Sequence, residues 1–407
     1  MNEIFITGMG ILSALGNNLE ENLQALKENR SGIGKLQYLI TSHTEFPVGE
    51  VKMTNEEMID RLGLSHDKPT IRTALMGMIA AREALQSASV RVENVRPQPL
   101  KIALISGTTV GGMDKSEQFY LDFLENDTKN EYISTHDCGT CTEMIADYFD
   151  IFSQVDTIST ACSSAANAII LGAELLKSGR ADMVIAGGCE CITKFHLNGF
   201  NTLMILDQAP CRPFDATRAG LNLGEGAAYV VMETKENFEK RLQENPALSA
   251  LCKLSGYANT CDAFHQTASS PDGEGAYLAM LQALETANLQ PQDIDYINAH
   301  GTGTPNNDVS EGTAIVRIFG EKIPPVSSTK SFTGHTTSAA GCVESVISIL
   351  ALLHNFIPVN LNFSEKMPEL PFAPAVNQQP QKPLRHILKN SFGFGGNDTC
   401  LIFSKIY

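Results

Sequence analysis

Tryptophan is absent from the 407-residue sequence, and so are low-complexity tracts and long runs of like charge. Disordered tails and linkers are built from such tracts, so we expect a chain that is compact throughout. Basic residues are scarce, since 30 lysines and arginines stand against 46 aspartates and glutamates and leave a formal net charge of −16. That balance argues against nucleic acid or an anionic membrane as a general partner.

Long apolar runs are also missing. No uninterrupted apolar run approaches the roughly 18 residues that a membrane-spanning helix needs. The opening residues, MNEIFITGMGIL, have no basic leader and a short apolar run, so we expect a cytoplasmic protein. Ten cysteines at irregular spacing predict free thiols in such a protein rather than a disulfide framework.

The stretch from 155 to 190 predicts a strand, a helix and a second strand. Residues 155–159 are a short apolar strand, residues 163–176 place apolar and small side chains at helical spacing, and residues 181–188 form another buried strand. Cys162 therefore stands at a helix N-terminus, where free N–H groups and the helix dipole favour a thiolate. We expect its thiol pKa to lie below the ordinary value. The alternative is a small buried structural cysteine.

Strands and helices alternate along the whole chain, which predicts mixed sheets covered by helices. A charged helical segment at 235–246 predicts a boundary between two halves, 1–245 and 246–407. Residues 191–224 are rich in turn formers and predict a long loop. In the second half we predict strands at 251–258, 295–299, 325–328, 387–392 and 399–404, with helices near 274–287, 308–319 and 338–354.

Cys138 and Cys141 form a CGTC motif. In isolation such a pair suggests a redox dithiol or half of a zinc site. No second CxxC or HxxxH follows at zinc spacing, so the pattern favours a place in the core or in a pocket wall.

Three loops with unusual residues each follow a predicted strand, where α/β folds place their sites. His300 lies in NAHGTGTP, which starts at 298, and Lys330 and His335 lie in SSTKSFTGHTTSAAG, which starts at 327. The third loop, NSFGFGGND from 390, can present backbone N–H groups, but a strand follows it, which disfavours a phosphate loop. Each histidine alone is explained by a structural hydrogen bond; with a cysteine at a helix start they form a nucleophile and two bases.

The pieces TACSSAA, NAHGTGTP, SSTKSFTGH followed by AAG, and NSFGFGG resemble, in order and spacing, the motifs of the type II β-ketoacyl-acyl carrier protein synthases. The resemblance covers essentially the whole chain from ITGMGILSALGN onward. It implies an α/β thiolase-type fold of two similar halves, each with a mixed five-stranded sheet, layered α-β-α-β-α. It also implies a homodimer, and a heterodimer with a chain-length partner stays open.

The resemblance assigns roles to individual residues. Cys162 matches the nucleophile that accepts the acyl group, His300 and His335 match the pair that serves decarboxylation, and Lys330 matches the family's motif lysine. The backbone N–H groups of Cys162 and Phe394 match the oxyanion hole. Substrate contacts are implied at Thr302, Thr304, Val110, Phe200, Gly393 and Gly395, and supporting acidic side chains at Asp308, Glu311 and Glu344.

The implied activity is decarboxylative condensation of malonyl carrier protein with an acyl thioester on Cys162, in fatty acid elongation. No cofactor is implied, because the phosphopantetheine is carried by the acyl carrier protein. That acidic partner would need a basic patch, for which Arg61, Lys68 and Arg72 are candidates, although an ordinary solvated face explains them equally well. Segments 37–58 and 131–150 depart from the family pattern, so the chain length of the substrate stays open.

Other readings of the same residues remain. One is a ketosynthase of a dedicated polyketide or aryl polyene pathway, and another is a non-catalytic partner that sets chain length. A thiolase would need a second cysteine in the C-terminal glycine loop, whereas Cys400 lies in a predicted strand. A cysteine hydrolase would use the same cysteine and histidines on water, and release of carbon dioxide from malonyl carrier protein distinguishes the two.

Overall fold

The computed structural model describes residues 3–90 and 100–406. Its strands are β1 (Ile4–Ser13), β2 (Ile102–Gly107), β3 (Gln154–Ile158), β4 (Met183–Glu190), β5 (Gly226–Thr234), β6 (Cys252–Cys261), β7 (Tyr296–Asn298), β8 (Val326–Ser327), β9 (His386–Gly393) and β10 (Asn397–Ser404). Its helices are α1 (Leu19–Lys27), α2 (Asn55–Leu62), α3 (Arg72–Ser87), α4 (Met113–Glu125), α5 (Cys138–Phe149), α6 (Ser164–Lys177), α7 (Lys194–Thr202), α8 (Lys235–Glu244), α9 (Glu274–Ala287), α10 (Pro305–Phe319), α11 (Lys330–Thr333) and α12 (Ala340–His354).

The strands form one continuous 10-stranded sheet in the order β3-β2-β4-β5-β1-β6-β10-β9-β7-β8. From the middle of the sheet outward, the first half has the order β1, β5, β4, β2, β3, and the second half has the order β6, β10, β9, β7, β8. Numbered within its own half, each order is first, fifth, fourth, second and third strand. The halves join where β1 pairs antiparallel with β6, with Ile4 opposite Leu254 and Ile6 opposite Cys252. The two predicted five-stranded sheets are therefore linked edge to edge, and the boundary at 245/246 stays a prediction that this repeated order supports.

Helices cover the sheet in layers. Helices α6 and α12 pack against each other between the halves, with α6 on β4 and α12 on β5 and β9. On the outer faces α3 packs on β1 and β5, and α9 packs on β6 and β10. The small residues of AAG allow close packing as expected, because a Cβ on Gly341 would lie 2.4 Å from the Ala166 nitrogen.

One stretch, Thr337–His354, is long and apolar enough to cross a membrane, but 89% of it is buried inside the protein. Such burial is typical of a core helix. The ten cysteines are all free, as predicted. Within the CGTC motif, Cys141 is buried with its Sγ 3.8 Å from Cys189 Sγ, and among the described residues no group of three or more potential ligands could hold a metal ion.

Most predicted elements of the second half are present, whereas the loop predicted at 191–224 is partly wrong. Helix α7 occupies 194–202, and the Thr193 hydroxyl accepts a hydrogen bond from the His196 N–H at 3.1 Å. That cap is a helix-start signal that the surrounding glycine and polar residues obscured. The segment between β2 and β3 contains two further helices, α4 and α5.

Candidate active site

Cys162 lies in a tight turn between β3 and α6. Ala161 adopts a left-handed conformation with φ of 50°, which is uncommon outside glycine. The Ser164 hydroxyl stabilises the turn, because it donates to the Ala161 carbonyl at 2.6 Å and accepts from the Thr160 N–H at 2.9 Å. The strained turn places the Cys162 thiol at a cavity while leaving it only 6% exposed.

The expectation of a lowered thiol pKa is wrong. Burial raises the pKa of Cys162 to about 12, against the opposing effects of the Lys330 charge and the Phe394 N–H. The reason is that desolvation of a buried thiolate outweighs the field of a helix that begins two residues later, at Ser164. The thiol therefore needs a base to accept its proton.

That base is His335. Its Nε2 lies 3.1 Å from Cys162 Sγ, and the side chain is buried. Burial and the Lys330 charge hold the pKa of His335 well below its ordinary value, so the imidazole is neutral near pH 7 and can accept a proton. Within the described part of the chain, His335 Nδ1 has no hydrogen-bond partner.

His300 stands beside His335, with ring centroids 5.4 Å apart and planes at 84°. Its Nδ1 is 3.3 Å from Lys330 Nζ. An ammonium group only donates, so Nδ1 accepts and the neutral ring carries its proton on Nε2. Burial and Lys330 also lower the pKa of His300 well below the ordinary value.

Lys330 acts behind this histidine rather than in the cavity. Its Nζ donates to the His300 carbonyl at 2.5 Å and pairs with Glu344 Oε1 at 2.5 Å, and all three side chains are buried. The predicted acidic support of Glu344 is thus a direct ion pair with the motif lysine.

The other two predicted acidic residues hold the loop that carries His300. Glu311 accepts the His300 N–H at 2.8 Å and the Gly301 N–H at 2.7 Å, and Asp308 accepts the Gly303 N–H at 3.2 Å. Burial raises the pKa of Glu311 to about 7 and also raises that of Asp308. These carboxyl groups shape the loop, which explains why they follow it at helical spacing in α10.

The end of β9 meets the nucleophile turn at Gly393. A Cβ there would lie 2.8 Å from the Thr160 carbonyl oxygen and 3.3 Å from the Cys162 nitrogen, so the approach requires glycine. It brings the Phe394 N–H into hydrogen-bond contact with the Cys162 thiol. The N–H groups predicted to form an oxyanion hole therefore lie on adjoining segments.

A cavity of about 280 Å³ opens onto Cys162. Thr302 and Thr304 share a hydrogen bond of 2.8 Å between their hydroxyls, and the rings of Phe200 and Phe394 stack with centroids 5.9 Å apart. The predicted site residues that line the cavity are Cys162, Phe200, His300, Thr302, Thr304, His335, Gly393, Phe394 and Gly395.

Val110 is not among the described residues that line this cavity. It is buried in the core beneath α3, and its N–H lies 3.3 Å from Glu190 Oε2. Its predicted substrate contact stays a prediction.

Sequence reasoning missed several residues at the site. Phe392 lines the cavity with its ring centroid 5.6 Å from that of His300, and Asp262 and Asp398 line it as well. Lys389 is buried next to Glu344. Two of these had a signal, since Asp398 stands two residues after the glycines of the third loop and Lys389 places a charge inside the strand predicted at 387–392.

Arg72 was expected in an exposed docking patch and is instead buried. Its guanidinium pairs with Glu225 at 2.5 Å and donates to the Met53 carbonyl at 3.0 Å. The expectation fails because α3 turns this residue inward, and Glu225 draws it there as an ion-pair partner. Arg61 and Lys68 are exposed.

Two family models match the chain: Beta-ketoacyl synthase, N-terminal domain, over residues 1–237, and Beta-ketoacyl synthase, C-terminal domain, over residues 251–364. The 3-oxoacyl-[acyl-carrier-protein] synthase 2 of Coxiella burnetii is 32% identical over 421 residues, which cover 99% of this chain and 99% of that protein.

Solved structures extend the similarity to the fold. A chain of the ishigamide ketosynthase/chain length factor superposes with a TM-score of 0.90 at 27% identity and covers 100% of both chains. A chain of the Xenorhabdus doucetiae ketosynthase ApeO in complex with its chain length factor ApeC gives 0.84 at 30% identity, covering 100% of this chain and 98% of that one. These neighbours confirm the predicted thiolase-type fold.

Proposed function

The chain belongs to the β-ketoacyl synthase family and is a condensing acyltransferase, and on that premise we propose that it is a 3-oxoacyl-[acyl-carrier-protein] synthase of fatty acid elongation. The acyl group is held as a thioester on Cys162 and extended by the malonyl unit of a carrier protein. The observation that carries the proposal is the 3.1 Å approach of His335 Nε2 to Cys162 Sγ in a cavity that His300 also lines.

The first step transfers the acyl group. Cys162 Sγ attacks the thioester carbonyl of the acyl carrier protein while His335 Nε2 accepts the thiol proton. The carbonyl oxygen becomes an oxyanion, and the Cys162 and Phe394 N–H groups stabilise it. Collapse breaks the bond to the phosphopantetheine sulfur, which takes the proton from His335 and leaves with its carrier.

The second step forms the carbon–carbon bond. Malonyl carrier protein loses carbon dioxide, and the electron pair of the broken bond remains as an enolate whose oxygen accepts the His300 Nε2–H. The enolate carbon attacks the acyl carbonyl on Cys162. The carbon–sulfur bond breaks, and the Cys162 thiolate takes up one proton from solvent. Neither step calls for a metal or redox cofactor.

Incubation with acyl and malonyl carrier proteins tests this proposal. We expect acylation of Cys162 by intact-protein mass spectrometry, carbon dioxide release and a 3-oxoacyl product. Cys162→Ala should lose product, whereas Cys252→Ala, which removes a buried thiol of the core, should retain it. Acylation at another cysteine, or no product across a range of acyl lengths, would contradict the proposal.

A second candidate is a ketosynthase of a dedicated pathway that works with a chain-length partner. The observation that favours it is the likeness to ApeO in its complex with ApeC. The acyl-length profile separates the candidates, because an elongation enzyme accepts a series of saturated chains.

We propose that the chain dimerises through the end of its sheet at β3. Among the described strands, β3 pairs only with β2 and leaves its other edge open. Three apolar side chains on α4, Tyr120, Leu121 and Leu124, are also exposed. Light scattering should give a dimer, and Leu121→Glu/Leu124→Glu should give a monomer. A monomeric native protein would leave a chain-length subunit as the alternative partner.

The carrier protein would dock near Arg61 and Lys68, the two remaining exposed candidates. Charge reversal of both should weaken binding of the carrier at low salt, because these pairs are electrostatic. Unchanged affinity would reject this patch.

A further inference from the structure

Lys389 is a buried charge that the proposed steps do not use. It lies in the middle of β9, between Leu388 and Asn390, with no exposed surface. Among the described lysines it shares complete burial only with Lys330. A lysine in the core lacks hydration and is retained only where other groups compensate it.

Its partner is the same carboxylate that holds the motif lysine. Lys389 Nζ is 3.1 Å from Glu344 Oε2, and Lys330 Nζ is 2.5 Å from Glu344 Oε1. Lys389 also donates to the Ser391 hydroxyl. Two ammonium groups therefore share one buried carboxylate, which leaves one positive charge uncompensated next to the active-site histidines.

We propose that Lys389 is a positioning residue for the condensation site: it pairs with the Glu344 carboxylate oxygen that Lys330 does not contact, and its charge adds to that of Lys330 in disfavouring protonation of His300 and His335. The inference rests on the proposed function, because it concerns the histidines that serve the condensation. A neutral imidazole is what each step needs, as proton acceptor on His335 and as Nε2–H donor on His300.

The charges around the site agree with this role. The positive charge of Lys389 acts to lower the pKa of both histidines, as that of Lys330 does more strongly. Burial and the nearby Lys330 lower the pKa of Lys389 itself, while Glu344 raises it. The other titratable groups that interact with these side chains are Cys162, Glu190, His196, Cys211, Tyr296, Glu311, Cys342 and Cys400.

The test follows the acid limb of the pH profile of malonyl-carrier decarboxylation, together with NMR titration of the two imidazoles in the free protein. In Lys389→Met the loss of a nearby positive charge should raise both imidazole pKa values, so the acid limb should move to higher pH by about one unit. Ser391→Ala removes a contact of Lys389 but keeps its charge, and should leave the limb in place.

A charge-balanced variant separates the charge from the packing. Lys389→Met/Glu344→Gln restores the single net positive charge on Lys330, so the limb should return toward that of the native protein. Lys389→Gln keeps a hydrogen-bond donor without the charge and should shift like Lys389→Met, which covers the case in which the methionine variant does not fold.

The inference is overturned if folded Lys389→Met or Lys389→Gln has the same acid limb and the same two imidazole pKa values as the native protein. It is also overturned if the acid limb shifts equally in Lys389→Met and in Lys389→Met/Glu344→Gln. If the native protein does not decarboxylate malonyl carrier, the proposed function fails by itself, and the imidazole titrations still decide the role of Lys389.

Discussion

Replacing the two histidines separately should divide the reaction into its steps. His335 Nε2 is the group within 3.1 Å of Cys162 Sγ, whereas His300 is held toward the cavity by Lys330. We therefore expect His335→Gln to slow acylation of Cys162 and His300→Gln to leave acylation within a few-fold of native. Decarboxylation should fall in His300→Gln, because the enolate loses its Nε2–H donor.

The magnitude follows from the thiol. Burial raises the pKa of Cys162 to about 12, so without a base only about one molecule in 10⁴ to 10⁵ is a thiolate at pH 7.5. A positioned base contributes about 10²- to 10⁴-fold, which is the loss expected in His335→Gln. The residual rate should then rise tenfold per pH unit, since hydroxide must form the thiolate, whereas the native rate should be nearly flat around neutrality.

Single-turnover acylation by an acyl carrier protein, quenched and read by intact-protein mass spectrometry from pH 6 to 9, measures both quantities. Thermal unfolding of the variants serves as the control for folding. Equal loss of acylation in the two variants would refute the division of roles. A native acylation rate in His335→Gln would refute the claim that a buried thiol needs this base.

Three further outcomes follow from contacts outside the histidine pair. Burial beside Asp262 raises the pKa of Asp398 to about 8, so this carboxyl group contributes a loss of stability as pH rises from about 4 toward 8. Asp398→Asn should remove this contribution, which is at most about 1.4 kcal/mol per pH unit. Denaturant unfolding measures it, and an equal difference in unfolding free energy between native protein and variant at pH 5.5 and at pH 8 would contradict the prediction. Arg72→Met should lower the free energy of unfolding by about 3 to 5 kcal/mol because it leaves the Glu225 carboxylate buried without its cationic partner, and a further Glu225→Gln change should recover part of the loss. Gly393→Ala should reduce the rate of condensation about 100-fold or more, because the added methyl group displaces the oxyanion donors. A condensation rate close to that of the native protein would contradict this.

The sequence predicted which residues meet at the site because the chemistry is concentrated in loops after strands. His300, Lys330 and His335 each follow a strand of the second half, and Cys162 follows β3 of the first. Alternation of strands and helices then suffices to bring such loops to one edge. The sequence could not predict the pKa of Cys162, because that depends on how completely the other half covers the thiol. The prediction for Arg72 failed because its burial depends on a partner far away in the sequence, Glu225, 153 positions later in the same half.

Lys389 is a residue that the sequence marks as unusual but whose environment the sequence does not predict. A lysine inside the predicted strand 387–392, between Leu388 and Asn390, by itself predicts an edge position with the charge in solvent. Its burial depends on Glu344 in α12, which the fold places against β9 from a distant part of the chain. A charged residue inside a predicted strand is therefore a signal for a buried charge network, and the members of that network are known only from the tertiary contacts.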